Sequence, residues 1–238
     1  MTDFNLHPRQ DTDELRAHFA RHGRVRIAEL LEREGAAALR DELALHSGWR
    51  HVLNGGDQIF ESAPGSIELM EPAERAALEA AVMQSAAQGF QFRYDSIRVP
   101  DDESERATRS DLLTRFAEFM SSDAVLGWLA EITDDRSPQF ADAQATRYRA
   151  GHFLTTHDDD VAGKNRSAAY VYGLSPEWRP EWGGLLLFTT AAEVTHAGVP
   201  GFNCLDLFAV GQSHSVSPVA AYAPADRISV TGWLRRRS

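Results

Sequence analysis

The run "TTHDDD", residues 155–160, places His157 directly before three carboxylates, Asp158, Asp159 and Asp160. A histidine and an aspartate two positions apart offer one imidazole nitrogen and one carboxylate oxygen to a single divalent ion. If "GHFLTTHDD" is extended, its side chains alternate with period two. His157 and Asp159 then share a face, and Asp158 and Asp160 turn to the other. The plain alternative is a solvated turn. A second imidazole has to come from another strand. His214 in "SHSVSPV" lies 57 residues downstream in an alternating segment, and His196 in "THAGVPG" is its competitor, with neighbours that read as a turn. Two imidazoles and one carboxylate on one side of an octahedral ion leave three positions open, the donor set of non-haem Fe(II) centres. The only cysteine, Cys204, removes thiolate clusters and intrachain disulfides.

Arg227 stands 13 residues beyond His214 in "DRISVTGWL". On a strand Arg227, Ser229, Thr231 and Trp233 fall on one face. A guanidinium is costly to bury alone. It becomes sensible on an interior face if its fork binds a carboxylate, with a serine or threonine hydroxyl beside it. A dicarboxylate holding a metal at one end and Arg227 at the other meets that demand. The competing reading is a surface arginine on an edge strand.

The elements that must position these groups lie in two textures. Up to about residue 135 the chain is mostly helix-like. "DTDELRAHFARHG" starts on a capping residue and stops at Gly23, and "LLEREGAAALRDELALH" and "EPAERAALEAAVMQSAAQG" have helical composition. "RSDLLTRFAEFMSSDAVLGWLAEITD" reads as two consecutive helices, while "RVRIAEL" and "FQFRYDSIRV" read as strands. The stretches 54–66 and 100–110 read as loops, candidates for lids over a site. After Pro138 come short segments rich in Val, Tyr, Phe, Leu and Thr, separated by Gly, Pro, Asn and Asp, the pattern of an all-β sandwich or barrel. The expectation is an α+β chain forming one unit over 1–238, with a helical part at 1–137 packed on a β core at 138–238. His7, His18, His22, His46 and His51 fall on polar segments of the helical part and read as surface or helix-end residues. Cys204, in the apolar run "FNCLDLF", reads as a buried structural thiol.

Composition narrows the function classes. With 43% hydrophobic and 25% charged residues the chain is globular, long enough to bury roughly 70% of its unfolded surface. A net charge of -11 argues against direct nucleic-acid binding. No apolar stretch approaches a membrane span or a signal core, so the expected setting is soluble, reducing and cytoplasmic.

The C-terminal half resembles the Fe(II)/2-oxoglutarate-dependent dioxygenases, in particular their prolyl 4-hydroxylase-like branch. "YRAGHFLTTHDDD" is similar to the branch's Tyr-x-x-Gly-x-x-Leu-x-x-His-x-Asp strand, and "YVYGLSPEWRPEWGGLLLF" to its tyrosine strand, tryptophan loop and Gly-Gly strand. "FNCLDLF", "SHSVSPV" and "RISVTGWL" are similar to the Asn-x-x-x-x-Phe, His-x-Val-x-x-Val and Arg-x-x-x-Thr-Gly-Trp segments, so the resemblance covers about residues 139–235. One departure is "YGL" where many members carry Tyr-Leu-Asn. The resemblance implies a double-stranded β-helix, a jelly-roll or cupin-like barrel, with Fe(II) held by His157, Asp159 and His214. It implies 2-oxoglutarate bound with its distal carboxylate on Arg227. Tyr148, Tyr172 and Thr231 would line the cosubstrate pocket, with Ser229 as an addition.

The same resemblance implies O2 as co-reactant, ascorbate as an added reductant, and hydroxylation of an unactivated C–H bond with succinate and CO2 as coproducts. Halogenating relatives lack the carboxylate that Asp159 supplies. The substrate expected is a prolyl residue in a protein or peptide. A free amino acid or other small metabolite is the alternative, and a cupin-like binding or sensing protein without turnover is a reading of a different class.

Overall fold

The computed structural model describes residues 4–237. The elements run α1 (Thr12–His22), β1 (Arg24–Ala28), α2 (Arg33–Leu45), β2 (Arg50–Gly55), β3 (Gln58–Glu61), α3 (Pro72–Ala86), β4 (Phe92–Arg98), α4 (Glu103–Arg106), α5 (Leu112–Met120) and α6 (Asp123–Thr133). Then follow β5 (Phe140–Ala141), β6 (Gln144–Tyr148), β7 (Phe153–His157), β8 (Arg166–Leu174), β9 (Leu186–Thr189), β10 (Val194–Gly198), β11 (Phe202–Ala209), β12 (His214–Val216) and β13 (Arg227–Arg235). Gly23 ends α1 with φ 63°, a left-handed residue whose N–H returns to the Phe19 carbonyl. Asp111 and Ser122 cap α5 and α6 with side-chain acceptors, which divides the helical run at 112–133 into two.

The strands join in one curled antiparallel sheet in the order β1-β11-β8-β13-β6-β4-β7-β12-β9-β10. Strand β4 pairs with both β6 and β7 and so carries the sheet around its bend. This is the jelly-roll-like α+β architecture the sequence leads one to expect. The first half is more than a helical layer, however. Strand β1 lies along β11, and β2, β3 and β4 extend the sheet beside β6.

Two stretches expected as loops contain structure. The segment 54–66 holds the β2–β3 turn at Gly56 and Asp57, and all four residues of β3 are exposed, so no buried face marks it in the sequence. The segment 100–110 holds the single turn α4, capped by Asp102, which accepts from the Ser104 and Glu105 amides.

The two faces of the sheet bury different things. Its outer face packs on the helices in one large cluster that includes Ile27, Leu39, Phe116, Leu129, Leu205 and Val230. Each such side chain, fully buried, contributes about 1.5–3 kcal/mol. The inner face of the curl holds smaller clusters around Phe188 and Phe208, and around Tyr148, Val216 and Val219. The curl therefore retains room inside for polar groups. Among the described residues no helix is long and apolar enough to cross a membrane.

Candidate metal and carboxylate site

His157 ends β7 and His214 begins β12, directly opposite in the antiparallel register, with ring centroids 4.1 Å apart. His157 Nδ1 lies 3.0 Å from the Thr155 carbonyl, and His214 Nδ1 lies 2.8 Å from the Gln212 carbonyl. A carbonyl only accepts, so each Nδ1 carries the proton and each Nε2 is left with its lone pair. Both free nitrogens face Asp159, at 3.5 Å from Oδ1 and 3.3 Å from Oδ2. Donor atoms of all three residues lie within 4.8 Å of one another. Burial pushes the His157 pKa down and keeps the ring neutral, the form that ligates. Two lone pairs and an anion converging on one point repel unless a cation lies between them.

Asp159 reaches this position by a different route from the one alternation describes. Strand β7 stops at His157, and Asp159 sits in the turn beyond with φ 63°. That left-handed step, tolerated by aspartate, turns its carboxylate back toward the two rings. Asp158 and Asp160 are exposed, and Asp158 Oδ1 accepts from the Asp160 amide at 3.1 Å, fixing the turn. His196 lies on edge strand β10 with its side chain exposed.

Arg227, the first residue of β13, is 4% exposed. Its Nη1 is buried without a hydrogen-bond partner, and among the described residues no carboxylate lies at ion-pair distance. Its Cζ is 5.0 Å from the centre of the Tyr148 ring. Burial pushes the guanidinium pKa down, the mark of a cation whose counter-charge the chain does not supply. Gly184, with φ 62°, lets the backbone pass alongside, since a Cβ there would stand 3.2 Å from Arg227 Cδ. Ser229 and Arg227 line one cavity with Val171, Gly173, Cys204 and Asp206. The Ser229 hydroxyl is 2.9 Å from that of Thr146, and Thr231 follows on the same face, opposite Gln144 and Val171. Alternation is right for β13: Val230 and Leu234 lie in the outer core, while Trp233 packs on the inner cluster.

Tyr172 requires a correction. It lies on the opposite face of β8 from the cavity, stacked on Phe116 at 4.9 Å and donating its hydroxyl to Asn203 Oδ1 at 2.8 Å. Its neighbours Val171 and Gly173 have the parity that faces inward. Cys204 is buried and free, with its thiol pKa raised by burial, but it shares the Arg227 cavity rather than the outer core.

Several residues escaped the sequence reading. Arg26 of β1 grips Asp206 with two hydrogen bonds of 2.7 Å and closes the cavity's far end. Aromatic rings form a wall between the metal group and Arg227. Phe90 lies 5.7 Å from His157 and 5.7 Å from Phe92, Phe92 lies 5.3 Å from Tyr94, and Tyr94 lies 5.4 Å from Tyr148. The period-two aromatics of "FQFRY" were the signal. His51 is buried rather than superficial, and forms a second constellation with Asp95 and His152. The two groups differ in their surroundings. Arg147 and Arg149 both reach Asp95, at 2.9 Å each, and their charges oppose a metal ion there. At Asp159 the nearest guanidinium nitrogen, from Arg166, stands 3.8 Å away.

Residues 143–235 match the sequence model of the 2OG-Fe(II) oxygenase superfamily. No curated protein matches the chain by sequence. Among solved structures, a Pseudomonas putida prolyl-4-hydroxylase is 20% identical with a TM-score of 0.60, covering 96% of this chain and 100% of its own. An oxidoreductase of the 2OG-Fe(II) oxygenase family from Burkholderia pseudomallei is 11% identical with a TM-score of 0.62, covering 100% and 97%. A Trichoplax adhaerens prolyl hydroxylase, in complex with a hypoxia inducible factor oxygen degradation domain peptide fragment, is 15% identical with a TM-score of 0.61, covering 94% and 88%. At these identities the likeness is one of fold.

Proposed function

We propose, for a chain whose residues 143–235 match the sequence model of the 2OG-Fe(II) oxygenase superfamily, that it hydroxylates an unactivated C–H bond of a prolyl residue in a protein or peptide. His157, Asp159 and His214 hold Fe(II), and Arg227 takes the distal carboxylate of 2-oxoglutarate. The observation that carries this reading is the pairing, inside one curl, of a converging His-Asp-His donor set with a buried arginine that lacks a counter-ion among the described residues. Bound iron, with 2-oxoglutarate and O2, supplies the oxidation that leaves a hydroxyl on the substrate and releases succinate and CO2.

The chain's own groups orient and enclose. The Thr155 and Gln212 carbonyls fix both imidazoles with Nε2 toward the metal. The Arg227 fork orients the cosubstrate along the aromatic wall, with Tyr148 against the guanidinium and Ser229 and Thr231 beside it. Phe92, Tyr94 and Tyr148 keep water from its length. The prolyl assignment draws support from the fold shared with the two prolyl hydroxylases and from the peptide complex of one of them. The test is mass spectrometry of proline-containing peptides incubated with enzyme, Fe(II) and 2-oxoglutarate. A gain of one oxygen on proline, in step with succinate release, is expected. A gain only on free amino acids or other metabolites in a parallel mixture would overturn the prolyl assignment.

A further inference from the structure

The outer face of the bend in the sheet holds a second cavity of about 240 Å³, lined among others by Trp49, His51, Ser62, Asp95, Arg147 and Arg149. It backs onto the same strands as the metal and carboxylate site. Tyr94 and Tyr148 face the interior from β4 and β6, while Asp95 and Arg147 face this cavity from the alternate positions. Two of its lining residues carry a buried polar atom with no hydrogen-bond partner: His51 Nε2 and Ser62 Oγ. Such atoms cost free energy individually, and their gathering around one cavity points to an occupant.

Their chemistry describes it. Asp95, held as a carboxylate with a pKa of about 2, takes the proton of His51 Nδ1 at 2.9 Å. His51, 5% exposed, is thereby locked with Nε2 as its free nitrogen. Ser62 both donates and accepts, whereas Arg149 Nε is already engaged by Asp95 at 2.9 Å. The fixed charges of the lining balance, with Arg147 and Arg149 against Asp95 and Glu68. Arg149 already meets Glu68 at 2.6 Å, and Arg147 stacks 4.8 Å from the Trp49 ring. An anion would face two carboxylates there and a metal ion two guanidinium groups. The volume lies below the roughly 300 Å³ at which drug-sized pockets begin.

We propose that this cavity is a second binding site, separate from the oxygenase site, for a small, net-neutral polar molecule that gives a hydrogen bond to His51 Nε2 and takes one from the Ser62 hydroxyl. A zwitterionic amino acid and a polyol share that chemistry.

The experiment follows the histidine side-chain nitrogens of the full chain by NMR while L-serine, glycerol, malonate or Zn(II) is titrated in. L-serine or glycerol is expected to move the His51 Nε2 resonance and leave those of His157 and His214 in place. Ser62→Ala, a substitution that leaves the Asp95 network intact, is expected to weaken that binding roughly tenfold, the loss of one hydrogen bond. A response to L-serine alone assigns a zwitterion, and one to glycerol alone a polyol. The proposal is overturned if neither probe moves His51, since the cavity then holds water only. It is equally overturned if only malonate or Zn(II) does so, or if 2-oxoglutarate displaces the probe.

Discussion

At the scale of single residues, the two charged groups of the site make opposite demands, and each gives a prediction. Asp159 is a buried anion facing two lone pairs and needs a cation, whereas Arg227 is a buried cation that needs an anion. Asp159→Ala should abolish Mn(II) or Fe(II) binding measured by calorimetry, while Asp158→Ala should retain it, because the Asp158 side chain is exposed and bonds only the local turn. Loss of metal in Asp158→Ala with retention in Asp159→Ala would show that the wrong carboxylate had been chosen. Arg227→Ala should keep the metal and lose 2-oxoglutarate affinity by roughly two to three orders of magnitude. Removing one partner of a buried charge pair typically costs about 3–5 kcal/mol. Arg227→Lys should fall between, since an ammonium offers a point charge in place of a fork. Anaerobic calorimetry with Mn(II) measures both. Unchanged 2-oxoglutarate affinity in Arg227→Ala would remove the arginine from the site.

At the scale of elements, the decisive tie is Asn203. Its Oδ1 accepts from the Leu31 amide and the Tyr172 hydroxyl, and its Nδ2 donates to the Leu31 carbonyl at 2.8 Å. With φ 56° it also occupies a left-handed position that asparagine tolerates. One side chain thus joins β11, β8 and the segment leading into α2. Asn203→Ala should destabilise the protein by about 3 kcal/mol, read from the urea midpoint, since it orphans buried donors and strains the backbone. Asn203→Gly should recover only the backbone part. This tie explains why Tyr172 lies away from the Arg227 cavity: the partner its hydroxyl finds is on the helix side. A tyrosine in a strand motif reveals its face only when the parity of neighbouring strands is known.

At the scale of the whole molecule, acid stability reports the buried network on the outer face of the sheet. Asp95 has a folded pKa of about 2 against an ordinary 3.8. Burial opposes its ionisation, but the His51 hydrogen bond and the charges of Arg149 and Arg147 outweigh that. A depressed carboxylate contributes stability that is complete above 3.8 and is lost as the pH falls toward about 2. The contribution is about 2 kcal/mol. His152 is held neutral by burial, with a pKa of about 3 against 6.5. The unfolded chain takes up this proton first, so stability also falls as the pH drops from 6.5 toward 3. Urea midpoints across that range should therefore decline in two successive windows, and His152→Gln should flatten the upper one. A decline confined to pH values below about 4 in the wild-type protein would contradict the buried, neutral His152.

The sequence by itself determined the donor types, their spacing and the inward parity of β13. Ligand chemistry depends on residue identity, and strand alternation is a local property of the backbone. It also marked the helices of the first half, whose caps and alanine-rich composition act within a few residues. Tertiary structure alone decided how Asp159 meets the histidines, because a left-handed turn after β7 overrides alternation there. It alone showed that Arg227 has no carboxylate partner among the described residues, since pairing depends on every strand that passes nearby. It alone brought His51, Asp95 and His152 together from three separate segments of the chain. No local pattern records such a meeting, because contacts between distant strands are set by sheet register and curvature rather than by the residues on either side.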